Sequence, residues 1–350
     1  MKVLYLSAHS VLEYDEVSLL HSLGHQPFSP GAYVEPANPG DATMRPPIPG
    51  LVYDPEDVRL YHACATGDGR DNKANLSAEL VARFSAVVVM HIPEWIIGNW
   101  GVLGPFIQRG GRVIWRTIGQ SISHQEAKLA PFRAQGLQIV RYSPAEERIP
   151  GYIGADAMIR FYKNPDEWTG WTGETKRVLH IGQDVILRRE HCSFDFYEET
   201  TRPFLRTLIG NGSEAVPWGR GRVSYDDMRA ALRDHRVFFY TGTHPASYTL
   251  GFIEALMTGI PVVASGPIHG NNRRAFPGHD LYEVADILDG SNGLASDDPF
   301  VLREYIEGLL DTNMVGLNGA KIGQRGRETA IRLFGEATIR EQWAKFLGAA

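Results

Sequence analysis

A single carboxylate inside an otherwise apolar helical run is the feature of this 350-residue chain that most plainly asks for a chemical explanation. Glu254 lies in Leu250–Thr258, within the stretch YTGTHPASYTLGFIEALMTGIPVVASG at residues 240–266. Buried there without a partner it would cost free energy, so it must meet a polar ligand or a donor. The loop before the helix holds Gly242, Pro245 and Ser247. Backbone N–H groups in that loop and in the first helical turn suit an anion. Gly259 then ends the helix, and Pro261 prevents it from restarting. Ordinary α/β sheets also contain such corners, so the pattern alone leaves ligand binding open.

Four further groups follow apolar runs of strand character. His9, Ser10, Glu13, Asp15 and Glu16 come after residues 2–7, and His91 comes after Ala86–Met90. Thr117 and Gln120 come after residues 112–115, and Arg188 with Arg189 after residues 177–181. Open α/β sheets collect ligands at the C-terminal ends of their strands. A histidine there suits hydrogen bonding near neutral pH. Carboxylates at a helix start also suit capping, and a pair of arginines is equally at home in solvent.

The elements that must hold these residues alternate strand and helix. Helical spacing over 11–23, 75–84, 97–109 and 126–135 is interleaved with strands at 2–7, 86–90, 112–115 and 139–142. A Pro-rich excursion at 26–57 interrupts them. It reads as an ordered segment because Tyr33, Ile48, Leu51 and Tyr53 give it something to pack. After 163–176, which is broken by Pro165, Gly170 and Gly173, a second series begins. It has a strand at 177–181, a helix at 197–208, a helix at 225–233 capped by Ser224, strands at 237–240 and 262–265, and helices at 300–310, 319–334 and 338–347. The fold class expected is α/β, with two Rossmann-like doubly wound domains. The first is placed at 1–165, a hinge at 166–176, the second at 177–334, and a last segment at 335–350.

Composition removes several function classes. Hydrophobic residues are 43% and charged residues 22% of the chain, as in globular domains. No apolar run reaches the ~18 residues of a membrane-spanning helix. The opening MKVLYLSAHS is a strand followed at once by polar residues, not a leader, and a cytoplasmic location is expected. Cys64 and Cys192 are too few for a disulfide framework and lack metal-site spacing. The loop after the first strand has none of the glycines of a dinucleotide fingerprint, which argues against an NAD site. A net charge of −6 weighs against a nucleic-acid partner.

The run from Ser247 to Ala264 resembles the nucleotide-sugar motif of retaining glycosyltransferases with the GT-B fold, in the large family that includes sucrose-phosphate and mannosyl transferases. The resemblance covers about residues 177–343. It is specific at 251–264 and supported at Asn292, Gly293 and Leu294, while the first domain matches in layout only. It implies a nucleotide-sugar cleft between two domains and a last helix that crosses back to the first. It also implies that Glu254 accepts ribose hydroxyls and that Thr249, Leu250 and Gly251 cradle phosphate. Gly182 matches a family glycine, Gln183 replaces the family arginine, and Arg188, with Arg189 beside it, falls where a diphosphate-binding lysine is found. His91 stands where members carry a histidine that contacts the donor sugar. The motif's first glutamate falls on Ala246. Either His244 or Ser247 takes another role, the donor sugar is held differently, or catalysis is lost.

The reading that follows is a glycosyltransferase using a nucleoside-diphosphate sugar, UDP-sugar favoured, as co-substrate and a hydroxyl acceptor. It is retaining, independent of metal and without a permanent cofactor. His244, Ser247, Tyr248, His9, Thr117 and Gln120 are candidates for donor-sugar or acceptor contact, and His91, Asp15 and Glu16 for catalysis. In an inverting transfer one of those carboxylates would be the general base. Three other readings stand beside it. The acceptor could be DNA with hydroxymethylated bases, motivated by Arg70, Arg220, Arg222, Arg273 and Arg274. The chain could also be a sugar-nucleotide epimerase of the same architecture, or a degenerate relative that only binds nucleotide or glycan.

Overall fold

The computed structural model describes residues 1–30, 48–64, 72–119, 121–311 and 317–348. Gln120, Arg70 and the part of the Pro-rich excursion at 31–47 lie outside the described residues. The chain divides into two units. The first comprises Met1–Glu147, Gly151–Tyr162 and Ile339–Ala350, and the second comprises Arg148–Pro150 and Lys163–Thr338.

In the first unit six parallel strands are ordered β2-β1-β3-β4-β5-β6. They are β1 (Lys2–Leu6), β2 (Gln26–Phe28), β3 (Ala86–Met90), β4 (Arg112–Arg116), β5 (Gln138–Arg141) and β6 (Ala157–Met158). All five residues of β3 are buried, as expected where helices cover both faces of a parallel sheet. The helices are α1 (Ser10–Ser22), α2 (Pro55–Ala63), α3 (Ala78–Val81), α4 (Pro93–Gly98), α5 (Trp100–Gln108) and α6 (Ser123–Arg133). Leu6, Val87, Val89, Trp115 and Leu129 form the centre of the core.

The second unit is a five-stranded parallel sheet, β11-β10-β9-β7-β8. Its strands are β7 (Thr175–Ile181), β8 (Arg206–Ile209), β9 (His235–Tyr240), β10 (Val262–Ser265) and β11 (Leu294–Ser296). Its helices are α7 (Phe194–Thr201), α8 (Tyr225–Asp234), α9 (Leu250–Thr258), α10 (Pro267–Asn271), α11 (Val284–Ile287), α12 (Pro299–Leu310) and α13 (Gly319–Phe334). The last helix, α14 (Glu336–Leu347), passes from the second unit into the first at Ile339. Arg327 of α13 donates to the carbonyls of Met257, Trp168 and Pro165, the last at 2.8 Å. It thereby ties the segment after Lys163 to the end of α9.

Three elements depart from the sequence reading. The helix expected over 197–208 stops at Thr201, and β8 begins at Arg206. Pro203 disfavours helix in the residue before it, and Thr207 and Ile209 fill a buried strand. The helix expected over 97–109 is two helices parted at Asn99. The buried Asn99 side chain donates to the carbonyls of Lys73 and Trp95 and accepts from the Leu76 N–H, a more local use of backbone groups than one continuous helix. That tie also leaves only Ala78–Val81 helical within 75–84. Finally, β2 lies inside the Pro-rich excursion and α2 begins at its end. Pro27 is tolerated because β2 is an edge strand. Among the described residues no helix is long and apolar enough to cross a membrane.

Candidate functional site

In the second sheet the chain leaves β7 for β8 on one side and returns to β9 on the other. Crevices open at the C-terminal ends of strands where the order reverses in this way. Past β7, the Gly182 N–H donates to Ile209 O, and a Cβ at Gly182 would come within 2.5 Å of Val185. Gln183 does not replace a cation; its side chain accepts the Asn211 N–H at 2.8 Å, while Asp184 accepts the Asn211 amide at 2.7 Å. These bonds fix the loop that carries the two arginines, and the two then differ. Arg189 is spent on α7. It donates to Asp195 at 2.9 and 2.5 Å and to Glu198 at 2.7 Å, and these carboxylates raise its pKa. Arg188 is half-buried, and among the described residues no ion pair or hydrogen bond holds its guanidinium. A cation left uncommitted beside a strand end is suited to a phosphate.

The start of α9 lies past the adjacent strand. Thr249 is its N-cap residue, yet no side chain caps the helix. The Thr249 N–H donates to the Tyr240 hydroxyl at 2.9 Å, so the amides offered to an anion are those of Leu250 and Gly251. A Cβ at Gly251 would meet nothing within 4 Å, so this turn borders open space. One turn on, Glu254 is 4% exposed. The donor its burial demands is present: Lys163 Nζ donates to Oε1 at 2.5 Å. No donor among the described residues reaches Oε2.

The loop between β9 and α9 is packed more tightly than its sequence suggests. His244 is 1% exposed; its N–H donates to His191 O at 2.7 Å, and its Nε2 lies 3.1 Å from Ser193 Oγ. Ser193 spends its one proton on His269 O at 3.0 Å, so Nε2 of His244 carries the proton of the shared bond. Burial pushes the pKa of His244 down to about 4. Ser247 and Tyr248 are buried too, Tyr248 edge-on against Phe334. Ala246 is also buried. Glu283, a buried carboxylate not singled out in the sequence, donates its N–H to Ser247 O at 3.0 Å and so borders the loop of Ala246.

In the first sheet the order reverses between β1 and β3, which brings the segments after Leu6 and after Met90 side by side. His9 caps α1, accepting the Leu12 N–H at 3.4 Å through Nδ1. Ser7 ties the two strand ends together. Its hydroxyl lies 3.3 Å from Met90 Sδ, and its carbonyl accepts from Lys73 Nζ at 2.6 Å. His91 has φ of 70°, held by its N–H to Arg116 O at 3.0 Å and its carbonyl from Trp115 Nε1 at 3.2 Å. Its Nδ1 is buried with no partner among the described residues, and burial lowers its pKa. Left-handed backbone on a non-glycine residue at a strand end is typical of functional sites.

The candidate carboxylates of the first unit separate by environment. Glu16 is wholly enclosed. Arg116 donates to its Oε1 at 2.8 and 2.5 Å, and the Tyr5 hydroxyl to its Oε2 at 2.5 Å, so both oxygens serve the fold. Asp15 is buried in α1. Thr117 is likewise internal, donating to Glu146 at 2.8 Å. Glu13, grouped in the sequence with the polar residues after the first strand but not among the catalytic candidates, is the carboxyl of α1 whose pKa is raised. Ser29 Oγ lies 2.5 Å from Glu13 Oε1 and 3.0 Å from Tyr5 O. Burial pushes the pKa of Glu13 up to about 6 against the opposing pull of Ser29 and Lys73. Among the described residues no cluster of three or more His, Cys, Asp or Glu is arranged to hold a metal ion.

The architecture is thus two Rossmann-like α/β units, each with candidate residues at the point where strand order reverses. As a sequence the chain matches no family model and no curated protein. As a fold it is similar along its whole length to solved GT-B glycosyltransferases. Against sucrose-phosphate synthase from Thermosynechococcus elongatus the TM-score is 0.66 at 14% identity, covering 99% of this chain and 98% of the other. A glycosyltransferase from Rickettsia africae ESF-5 gives 0.65 at 13% identity over 100% and 99%. Anabaena HepE, solved in complex with UDP-glucose, gives 0.63 at 13% identity over 100% of both chains.

Proposed function

We propose that this chain is a glycosyltransferase that moves a sugar from a nucleoside-diphosphate sugar, with UDP-sugar favoured, to a hydroxyl acceptor. The observation that carries the reading is the pairing of two uncommitted positive features at the reversal point of the second sheet. Arg188 has no counter-ion among the described residues, and α9 begins uncapped beside open space at Gly251. Departure of a nucleoside diphosphate develops charge on its phosphates, and fixed donors of this kind stabilise it by several kcal/mol without a bound metal. Glu254, one turn further along, accepts ribose hydroxyls at its open Oε2. The likeness in fold to HepE, solved with UDP-glucose, supports the choice of uridine. Retention of configuration fits the pairing of Glu16 with Arg116 and Tyr5, which removes that carboxylate as a general base. With alanine at 246, contact to the donor sugar from the second unit passes to Ser247 or Glu283.

Calorimetry with UDP, GDP and ADP tests the reading. UDP is expected to bind, and the Glu254→Ala substitution to weaken it by about 1.5–3 kcal/mol, the worth of a hydrogen bond to a charged group. Failure of the wild-type chain to bind any of the three would overturn it.

A further inference from the structure

Lys163 is 0% exposed, an unusual place for an ammonium group. Its backbone N–H donates to Phe334 O at 3.0 Å, and its Nζ lies 5.3 Å from the centre of the Trp168 ring. The same Nζ donates to Glu254 Oε1 at 2.5 Å. Trp168 is in turn held by its carbonyl, which accepts from Arg327, and Arg327 also reaches Met257 O at the end of α9. The lysine is therefore not a mobile surface group that meets Glu254 by chance. Its segment is bolted to the helix that carries the carboxylate.

We infer that Lys163 is a positioning residue for nucleoside recognition: it pairs with Glu254, occupies Oε1, and leaves Oε2 as the acceptor for a ribose hydroxyl. The inference rests on the proposal that Glu254 receives the ribose. Chemically, a carboxylate buried without its counter-charge reverts toward the neutral acid, which has lost much of its acceptor strength. Oε1 is also the oxygen that would otherwise compete for the same hydroxyl. Fixing it on Lys163 turns a two-fold symmetric acceptor into a directed one.

The test compares UDP with 2′,3′-dideoxy-UDP, which differ only in the two ribose hydroxyls, on the wild type and on Lys163→Met and Lys163→Arg. Phosphate and base contacts cancel in the ratio of the two affinities. A change that merely loosened the fold would weaken both nucleotides alike and leave the ratio unmoved. The wild type is expected to prefer UDP by about tenfold or more. Lys163→Met should bring that preference to within about twofold, and Lys163→Arg, which keeps the charge, should restore most of it. A folded Lys163→Met protein with the wild-type preference would overturn the inference. Should the methionine variant not fold, the arginine variant decides alone: it keeps the preference if the charge is what matters, and its loss counts against the inference. The underlying reading fails separately, and visibly, if the wild type binds no UDP or binds both nucleotides equally.

Discussion

His91 joins two properties that can be separated by mutation: a left-handed backbone and a buried imidazole edge. Asparagine tolerates φ near 70° whereas alanine does not. His91→Ala should therefore cost about 1 kcal/mol in thermal or denaturant unfolding, and His91→Asn should cost much less. Both should reduce sugar transfer if the imidazole contacts the donor, which turnover assays would show. Glu146 supplies a second residue-scale prediction. Burial, opposed by Arg141, Thr117 and two backbone N–H groups, raises its carboxyl from 4.5 to about 7. The folded protein thus keeps a proton that the unfolded chain has already released. The stability this contributes is complete below pH 4.5 and is lost as pH rises through about 7, of order 3 kcal/mol in all. Unfolding measured from pH 4 to 8 should show Glu146→Gln with a flatter dependence than the wild type; parallel curves would refute the assignment. At this scale the sequence showed which residue types could act but not how they were engaged. Arg188 and Arg189 are neighbours with the same side chain, and only the position of Asp195 and Glu198 on α7 separates the free one from the spent one. Glu254 was visible as a lone charge, but its partner is 91 positions away in sequence and could not be read from local spacing.

Among the elements, α9 shows stability and function pulling apart. Gly251 occupies the first turn of a helix where a methyl group would meet nothing within 4 Å. Alanine there should raise stability by about 0.5–1 kcal/mol, since glycine is the poorer helix former. The same methyl group would stand beside the amides offered to the diphosphate, so calorimetry should show weaker UDP binding by Gly251→Ala. Tighter binding alongside a higher melting temperature would place the phosphate elsewhere. The boundaries of α9 and β10 were legible because Gly259, Pro261 and an all-apolar strand mark them locally. The boundary between α7 and β8 was not, because apolar residues on both sides of Pro203 continue a helical spacing by coincidence. The fate of Asn99, whose side chain replaces backbone partners from a segment more than twenty residues earlier, is likewise a tertiary fact.

For the molecule as a whole, the α/β class and the presence of two doubly wound sheets follow from alternating apolar strands and amphipathic helices, and the similar solved structures share that fold over the full chain length. The candidate sites are less evenly readable, because parallel sheets bring together loops separated by about sixty to eighty residues. UDP should slow hydrogen exchange most at residues 182–189 and 249–254 if both loops hold the nucleotide, and uniform protection across the second sheet would instead indicate global stabilisation. The bonding of Arg327 to the carbonyls of Pro165, Trp168 and Met257 carries a further consequence. The stretch following Tyr162 behaves as part of the second unit's frame, although by composition it resembles a spacer. A recombinant second unit begun at Arg177 would lack two of the three carbonyls that hold the Arg327 guanidinium, those of Pro165 and Trp168, and would deprive Glu254 of its ammonium partner. One begun before Lys163 would carry its own counter-charge with it.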